Sequence, residues 1–362
     1  MRQKQPVGIG MVGCGDLGNM ILPHFTEPVT QERAIVVALC DIDRDKVEAA
    51  RKQFGIARSY TDYNDFLADP AVELVLLLTP VQVHATMAIK ALQSGKHVYV
   101  QKAMTANLAE ADALVEVARA SGCKAGAAPG QCFAPFFRKA GEILRAGTLG
   151  QVFWTFTNNS GRGSEYPWYL REGGGPLNTV TVYSLAGLTA LFGPAKRVTA
   201  VSRTAVPMVP IPGGTMRREI DDNTLLLLEF AKGGFAFADG TDAMVPRSLQ
   251  WGQFSLLAEK GALESGTLDM VSGWPTELIL THPNWHRETI SLPNSLHPEL
   301  DGPHGTLKEP HVYVDIMHLV DCIREDREPE ISLEHGRHVV EIIEKAYQAA
   351  KSGIRQDLST TF

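Results

Sequence analysis

The sequence lacks the features that define several protein classes. Its 362 residues contain no run of 18 apolar residues, so nothing predicts a membrane-spanning helix. No basic tract stands out and the net charge is −7, which argues against nucleic acid or an anionic membrane as a partner. The apolar N-terminal stretch is too short and glycine-rich for a signal peptide, so we expect a cytoplasmic protein.

Disulfide and metal patterns are also missing. The five cysteines are odd in number and scattered without a C-x-x-C motif, which predicts a reducing compartment and no disulfide framework. His297, His304 and His311 lie seven residues apart without the short spacing of a metal site, so we predict no metal. His304 or His311 could still reach a substrate, whereas His318 lies in a predicted helix and is expected in the core.

The chain is long enough for two domains, and 44% hydrophobic with 21% charged residues is typical of a globular protein. Strand and helix signals alternate over the first third, whereas consecutive strand signals dominate afterwards. We therefore predict an α/β Rossmann domain over residues 1–128 and an α+β domain over residues 129–362. The second domain should hold a large, mainly antiparallel open sheet and two closing helices.

A glycine-rich turn follows the first strand signal, the apolar run 7–12. Gly13 permits a tight turn, Gly15 has no side chain to keep a pyrophosphate from the backbone, and Gly18 lets the next helix pack closely on the strand. The helix start offers unpaired N–H groups to phosphates. The expected cofactor contacts of this turn are Gly13, Cys14, Gly15, Asp16, Leu17 and Gly18.

An acidic residue ends the second strand signal. Asp41 lies 23 residues beyond Gly18, as a dinucleotide-binding βαβ unit requires. Its carboxylate can accept both hydroxyls of an adenosine ribose and would repel a 2′-phosphate. The sequence therefore predicts NAD rather than NADP, with Asp41 and its neighbour Ile42 at the cofactor; a Rossmann-like domain with an empty site is the alternative.

Several motifs together resemble one family, the oxidoreductases related to glucose–fructose oxidoreductase and inositol 2-dehydrogenase (Gfo/Idh/MocA). The segment TPVQVH at 79–84 is similar to the family's T-P-x-x-x-H, and GKHVYVQKA at 95–103 stands in the place of G-K-H-V-x-x-E-K-P. The GGGPL segment at 173–177 opens the helix that bears the family's second catalytic motif. The closing helices are similar as well, so the resemblance covers nearly the whole chain.

Three departures from the family pattern affect the expected catalytic residues. Gln101 and Ala103 replace the glutamate and proline around Lys102, and Thr179 stands where the family has an aspartate. Tyr183 keeps the aromatic hydroxyl four residues later. The resemblance implies catalysis by Lys102 and Tyr183 with help from Thr179. A cation beside Tyr183 would lower its pKa from about 10, which makes the pair workable as acid and base.

Other positions are expected to contact the cofactor or the substrate. Thr79 and Pro80 should line the nicotinamide side, Gln101 should bond a cofactor hydroxyl or amide, and His84 is a weaker candidate for contact. Aromatic faces and charged donors bind sugars, so the segment 162–169 is a candidate pocket wall. Its candidate substrate contacts are Arg162, Tyr166 and Trp168.

These expectations give a leading function and two alternatives. The leading hypothesis is an NAD-dependent dehydrogenase that acts on a secondary hydroxyl of a sugar, polyol or glycoside. An enzyme that retains its NAD, and oxidises a glycoside sugar or couples two sugar or carbonyl substrates, is the first alternative. A catalytically silent NAD- or sugar-binding regulator is the second. The resemblance also implies a homo-oligomer, a dimer or tetramer, formed through the C-terminal sheet.

Overall fold

The computed structural model describes residues 5–158, 163–232, 234–242, 253–266, 275–293 and 302–362. In chain order, the strands are β1 Val7–Val12, β2 Ala34–Cys40, β3 Arg58–Tyr60, β4 Leu74–Leu77, β5 His97–Val100, β6 Ala125–Ala127, β7 Val152–Asn158, β8 Ala195–Arg203, β9 Met208–Ile211, β10 Gly214–Arg217, β11 Asn223–Phe230, β12 Phe235–Thr241, β13 Gln253–Ala258, β14 Gly261–Ser265, β15 Glu277–Thr281, β16 Arg287–Ser291 and β17 Gln356–Asp357.

The α-helices are α1 Asp16–Ile21, α2 Pro28–Gln31, α3 Arg44–Phe54, α4 Tyr63–Ala68, α5 His84–Gln93, α6 Leu108–Ser121, α7 Pro135–Arg145, α8 Val182–Phe192, α9 Pro310–Glu325 and α10 Leu333–Ser352. Short 3-10 helices occur at Leu22–Thr26, Val81–Val83, Gln131–Phe133, Pro167–Leu170 and Pro303–Thr306, and a π-helical turn at Leu177–Thr181.

These elements form two compact units. The first comprises residues 1–105, 109–130 and 297–333, and the second comprises residues 106–108, 131–296 and 334–362. The single boundary expected near residue 129 therefore differs from this division, because the chain returns to the first unit near its end. The physical reason is that α9 packs on β5 of the Rossmann sheet.

The first unit is built on a six-stranded sheet in the order β3-β2-β1-β4-β5-β6. All neighbouring strands in this sheet are parallel. The strand order reverses between β1 and β4, and ligands of open α/β sheets bind at the carboxyl ends of the strands beside such a reversal. The predicted Rossmann fold is confirmed, and the turn after β1 lies at this position.

Local sequence signals fix several helices of the first unit. The side chain of Asp43 accepts hydrogen bonds from the backbone N–H groups of Asp45 and Lys46, which caps α3. The helix ends at Gly55, whose φ of 66° suits a residue without a side chain. The segment 81–93 begins with a 3-10 turn and becomes α-helical at α5.

The second unit holds a nine-stranded sheet in the order β16-β15-β14-β13-β7-β12-β11-β8-β17. Its neighbours pair antiparallel except for β7 and β12, which are parallel. β11 and β12 form a hairpin and pair antiparallel, with Leu227 opposite Phe237. Gly233 of its turn lies outside the described residues, and Gly234 has a φ of 69°.

One face of this sheet carries the core of the second unit. Apolar side chains of α7, α8 and α10, among them Phe136, Leu185 and Ile342, pack with buried residues of the strands such as Leu226 and Leu256. Along β11 and β12 these buried residues alternate with more exposed ones, as expected for a sheet covered on one side. The predicted open antiparallel sheet is therefore confirmed.

The opposite face of the nine-stranded sheet carries exposed apolar side chains, which include Trp154, Val201, Leu225, Phe235 and Leu257. Trp154 meets Phe237 of the neighbouring strand edge to face, with ring centroids 6.5 Å apart. This apolar patch spans the central strands.

In the described part of the chain, no helix is long and apolar enough to cross a membrane.

A buried carboxylate fixes the C-terminal tail to the second unit. Glu341 of α10 is 1% exposed and accepts hydrogen bonds from the backbone and hydroxyl groups of Ser359 and Thr360. Four donors to one carboxylate compensate its burial. The tail is therefore an ordered part of this unit, and β17 extends the sheet beside β8.

Candidate functional site

The three motif glycines of the turn after β1 have different surroundings. Gly13 has a φ of 102°, and a Cβ there would lie 2.5 Å from the backbone oxygen of Leu78. A Cβ at Gly18 would lie 2.3 Å from the backbone oxygen of Gly13, so α1 packs directly on the turn. Nothing lies within 4 Å of the corresponding position at Gly15. The open space at Gly15 fits the close approach of a pyrophosphate.

Asp41 connects the end of β2 to this turn. Its two carboxylate oxygens accept hydrogen bonds from the backbone N–H groups of Cys14 at 2.7 Å and Asp43 at 2.9 Å. Each oxygen keeps a second acceptor position, so the carboxylate can still accept ribose hydroxyls. Ile42 beside it is 95% exposed and offers an apolar surface. The Cys14 thiol is buried, which raises its pKa to about 12, so Cys14 offers a ligand its backbone rather than a thiolate.

Two buried polar atoms without a hydrogen-bond partner lie at the ends of β4 and β5. They are the Thr79 hydroxyl and the Gln101 amide nitrogen, whose side-chain oxygen accepts from the Lys102 N–H at 2.7 Å. Buried polar groups are normally paired, so an unpaired donor at the carboxyl edge of a parallel sheet fits a polar ligand. With the open space at Gly15 and the free acceptor positions of Asp41, these atoms fit a bound dinucleotide. Pro80 is exposed next to Thr79.

His84 joins the two loops that carry these atoms. It is fully buried, with Nδ1 2.9 Å from the Ala103 carbonyl oxygen and Nε2 2.8 Å from the Thr79 carbonyl oxygen. Burial lowers the pKa of its imidazole. Because both ring nitrogens contact backbone, this geometry favours a positioning role for His84 over the direct cofactor contact suggested by the sequence.

Lys102 follows β5 and is half-buried. Its peptide bond to Ala103 is cis. Burial lowers the pKa of its ammonium group, and the Glu309 carboxylate opposes this change. Glu309 also lies beside His311, with Oε2 3.6 Å from Nε2. Three ionisable side chains from distant parts of the sequence therefore share one region of the first unit.

Thr179 and Tyr183 belong to the second unit. The triple glycine leads into the π-helical turn Leu177–Thr181, which continues as α8; such turns are frequent at functional sites. The Thr179 hydroxyl donates to the Gly175 carbonyl oxygen at 2.7 Å, so it can offer a ligand only its acceptor capacity. Tyr183 is 8% exposed.

A buried network behind Thr179 escaped the sequence analysis. Tyr169 is 4% exposed and interacts with Thr179 and with Asp242, while Asp242 accepts from an Arg218 guanidinium nitrogen at 2.8 Å. Burial raises the pKa of the Asp242 carboxyl, and Arg218 opposes this. No local motif marks these residues, because separate segments of the second unit bring them together.

The remaining sequence candidates have varied positions. Tyr166 is exposed and Trp168 is partly buried, with its ring 5.9 Å from that of Tyr169. Arg162 lies outside the described residues, so its expected contact stays a prediction.

The histidines also separate by environment. His304 is fully buried and stacks on Tyr313, which fits a core role rather than the suggested substrate contact. His318 accepts from the Glu330 N–H at 3.0 Å and lies in the core as predicted. His297 lies outside the described residues. Among the residues that the structure covers, no group of three or more His, Cys, Asp or Glu could hold a metal ion.

A Rossmann unit whose glycine turn fits a dinucleotide, together with a mainly antiparallel α+β unit, is the architecture of an NAD-binding oxidoreductase. Comparison with family models agrees: residues 7–128 match the oxidoreductase family with an NAD-binding Rossmann fold, and residues 137–264 match the GFO/IDH/MocA C-terminal domain. The chain belongs to the Gfo/Idh/MocA oxidoreductase family, and its cofactor is NAD. The family resemblance and the predicted cofactor are both confirmed.

Individual relatives are distant in sequence. An uncharacterized oxidoreductase of Synechocystis sp. is 26% identical and matches over 96% of both chains. D-apiose dehydrogenase of Paraburkholderia graminis is 24% identical over 97% of this chain and 89% of that protein. The solved structure of a levoglucosan dehydrogenase in complex with NADH and levoglucosan has a TM-score of 0.84 at 19% identity. It covers 98% of this chain and 100% of that one.

Proposed function

We propose that the protein is an NAD-dependent dehydrogenase that acts on a secondary hydroxyl of a sugar, polyol or glycoside. The observation that carries the proposal is Lys102, half-buried at the carboxyl end of β5 beside the unpaired polar atoms of Thr79 and Gln101. A cation there can hold the oxygen of a reacting hydroxyl. Relatives named as dehydrogenases of apiose, levoglucosan and inositol support a carbohydrate-like substrate.

In this proposal, different residues of the first unit bind different parts of NAD. Asp41 accepts ribose hydroxyls, Gly15 admits the pyrophosphate to the backbone, and Gln101 and Thr79 bond the polar groups of the nicotinamide half. NAD, when bound, accepts the hydride. Lys102 stabilises the negative charge that develops on the substrate oxygen, and such preorganised charge is a large source of rate enhancement.

The second unit is proposed to supply the substrate contacts. Tyr183 and Thr179 offer a phenol and a hydroxyl oxygen from the helix after the triple glycine. Tyr166 and Trp168 offer aromatic faces of the kind that pack on sugar rings, and Arg162 offers a charged donor. The pairing of Lys102 with Tyr183 as acid and base stays a prediction, as does the cytoplasmic location.

The test is turnover with a panel of aldoses, polyols and inositols in the presence of NAD, followed by absorbance of the reduced nicotinamide. We expect at least one carbohydrate to be oxidised, and K102M to lose activity by about 10²-fold or more while it still folds. Lys139→Met, at a partly exposed lysine of α7, is the matched control. If no panel member were oxidised and none were bound, the proposed dehydrogenase function would be refuted.

Two further readouts separate the alternatives. Nicotinamide absorbance in the supernatant of denatured, freshly purified protein would favour an enzyme that retains its NAD. Binding of a sugar with NAD but without turnover would favour a regulator. The feature that supports the regulatory alternative is the replacement of the family's carboxylates by Gln101 and Thr179.

We also propose that the apolar patch on the open face of the nine-stranded sheet is an oligomer contact. Trp154, Leu225, Phe235 and Leu257 are exposed on adjacent strands of one face. Contiguous apolar surface of this kind marks protein–protein contacts, and a second copy of the chain is the proposed occupant.

A further inference from the structure

The helix α9 brings a distant segment of the chain to the end of β5. Asp315 of α9 accepts from the Tyr99 hydroxyl at 3.3 Å and from the Gly130 N–H at 2.9 Å. Glu309 immediately precedes α9, and Lys102 lies two residues beyond β5. The bonds of Asp315 hold α9 to this end of the strand, and the Glu309 carboxylate acts electrostatically on Lys102.

Glu309 and His311 form a pair at this end of α9. Glu309 Oε2 lies 3.6 Å from His311 Nε2, and the two side chains are 37% and 16% exposed. Glu309 has a φ of 57° and a ψ of 43°, the left-handed conformation, which is energetically unfavourable for a residue with a side chain. A glycine would adopt it without this cost. The carboxylate is thus held next to the imidazole at an energetic cost to the fold.

The charges of this pair and of Lys102 influence one another. Burial lowers the pKa of His311; the Glu309 carboxylate opposes this and the Lys102 ammonium adds to it. The Lys102 ammonium also acts on the buried His84 imidazole, and Asp315 is one helical turn beyond His311. Burial thus favours the neutral imidazole of His311, the form that accepts a proton, and Glu309 can stabilise the imidazolium that forms.

We propose that His311 is the general base of the reaction and that Glu309 is the positioning residue that orients it beside Lys102. The inference rests on the proposed dehydrogenase function. His311 is a better base near neutral pH than Tyr183, because an ordinary phenol has a pKa of about 10.

The proton and electron balance is simple. The substrate O–H bond breaks and its proton moves to the His311 imidazole. The C–H bond breaks with its electron pair, and the hydride reduces NAD⁺ to NADH. The carbon–oxygen single bond becomes a carbonyl, while Lys102 holds the oxygen. The imidazolium later releases its proton to water.

A first experiment tests the cluster without turnover. The protein with isotope-labelled histidine is titrated by NMR, and the His311 signal is assigned by its loss in H311N. We expect the His311 pKa to rise in K102M, which removes a neighbouring cation, and to fall in E309Q, which removes the carboxylate. Glu116→Gln, at an exposed position of α6, should leave it unchanged. A His311 pKa that is the same in all variants would overturn the proposal.

A second experiment tests the role in catalysis. With the carbohydrate that the wild-type protein oxidises, H311N should lower kcat by about 10²- to 10⁴-fold and abolish the acid limb of the pH profile of kcat/KM. E309Q should move that limb to lower pH, because the neutral imidazole then persists further into acid. Y183F should keep the limb, and His286→Asn, an exposed histidine of the second unit, should behave as wild type.

The outcomes distinguish the two levels of the hypothesis. If the wild type oxidises a carbohydrate but H311N retains the limb and activity within about twofold, the assignment of His311 is wrong and the dehydrogenase function stands. If Y183F loses the limb instead, Tyr183 is the base. If the wild type oxidises no member of the panel, the proposed function fails and the catalytic role of His311 with it.

Discussion

Alanine substitutions at the three motif glycines should have three different effects, because their surroundings differ. At Gly15 nothing lies within 4 Å of an added Cβ and the backbone is extended, with φ of −79°. At Gly13 an added Cβ meets a backbone oxygen at 2.5 Å and the φ of 102° is strained for alanine; at Gly18 it meets a backbone oxygen at 2.3 Å. Backbone atoms cannot move aside as the end of a flexible side chain can.

The magnitudes follow from these contacts. G13A combines about 1–2 kcal/mol for the positive φ with about 1–3 kcal/mol for the clash, so we expect a loss of about 3 kcal/mol. G18A has the clash alone, partly offset by the better helix propensity of alanine, and should lose about 1–2 kcal/mol. G15A should change the stability of the cofactor-free protein by less than about 0.5 kcal/mol. Its Cβ occupies the approach of the pyrophosphate, so NADH should bind at least about tenfold more weakly, about 1.4 kcal/mol.

Two assays separate stability from binding. Urea denaturation of the cofactor-free variants gives the free energy of unfolding, and fluorescence titration gives the NADH affinity. Gly55→Ala is the control for a positive φ without a clash and should lose about 1 kcal/mol with no change in NADH affinity. The reasoning is refuted if G15A destabilises the protein as much as G13A, or if G15A binds NADH as tightly as the wild type.

Four shorter predictions concern other parts of the chain. D41S should lower the NADH affinity about tenfold and raise the NADPH affinity relative to it, as measured by fluorescence titration, since a ribose acceptor and a charge repelling a 2′-phosphate are lost. E341A should cost about 3 kcal/mol in urea denaturation and expose the C-terminal tail to carboxypeptidase. W154E should shift the oligomer to monomer in analytical ultracentrifugation, and unchanged assembly would exclude this face as the contact. His24 is buried, and its pKa is lowered to about 4, below the value of about 6.5 in the unfolded chain. Its neutral form therefore contributes fully to the free energy of unfolding above pH 6.5, and about 3 kcal/mol of that free energy is lost by pH 4. Urea denaturation at both pH values should show this loss, and H24N should reduce it.

Both predicted fold classes follow from local sequence patterns that match the burial of the strands in the structure. The apolar run of β4 is buried at every position, as a central parallel strand requires. The alternation along β11 and β12 divides the sheet into a covered and an exposed face. The parallel pairing of β7 with β12 has no such local signal, because it joins strands about 80 residues apart whose alternation would suit either direction.

The prediction of the cofactor residues depends on a local pattern of the same kind. Gly13, Gly15, Gly18 and Asp41 lie in one continuous βαβ segment, so spacing alone determines their arrangement. From the sequence, His84 is only a weaker candidate for cofactor contact, and the structure adds that its two ring nitrogens lie next to the Ala103 and Thr79 carbonyl oxygens. The hydrogen bond that the Thr179 hydroxyl donates to the Gly175 carbonyl oxygen is visible only in the structure.

The sequence by itself therefore determined the Rossmann unit, the family and the choice of NAD, since each depends on short-range order along the chain. Only the tertiary structure brought Glu309 and His311 to Lys102. More than 200 residues separate them from Lys102 in the sequence, and α9 carries them there because its buried Asp315 is bonded to Tyr99 and Gly130. Contacts across such a separation cannot be predicted from the spacing of residues in the sequence, because they depend on the packing of whole elements rather than on the turns between them.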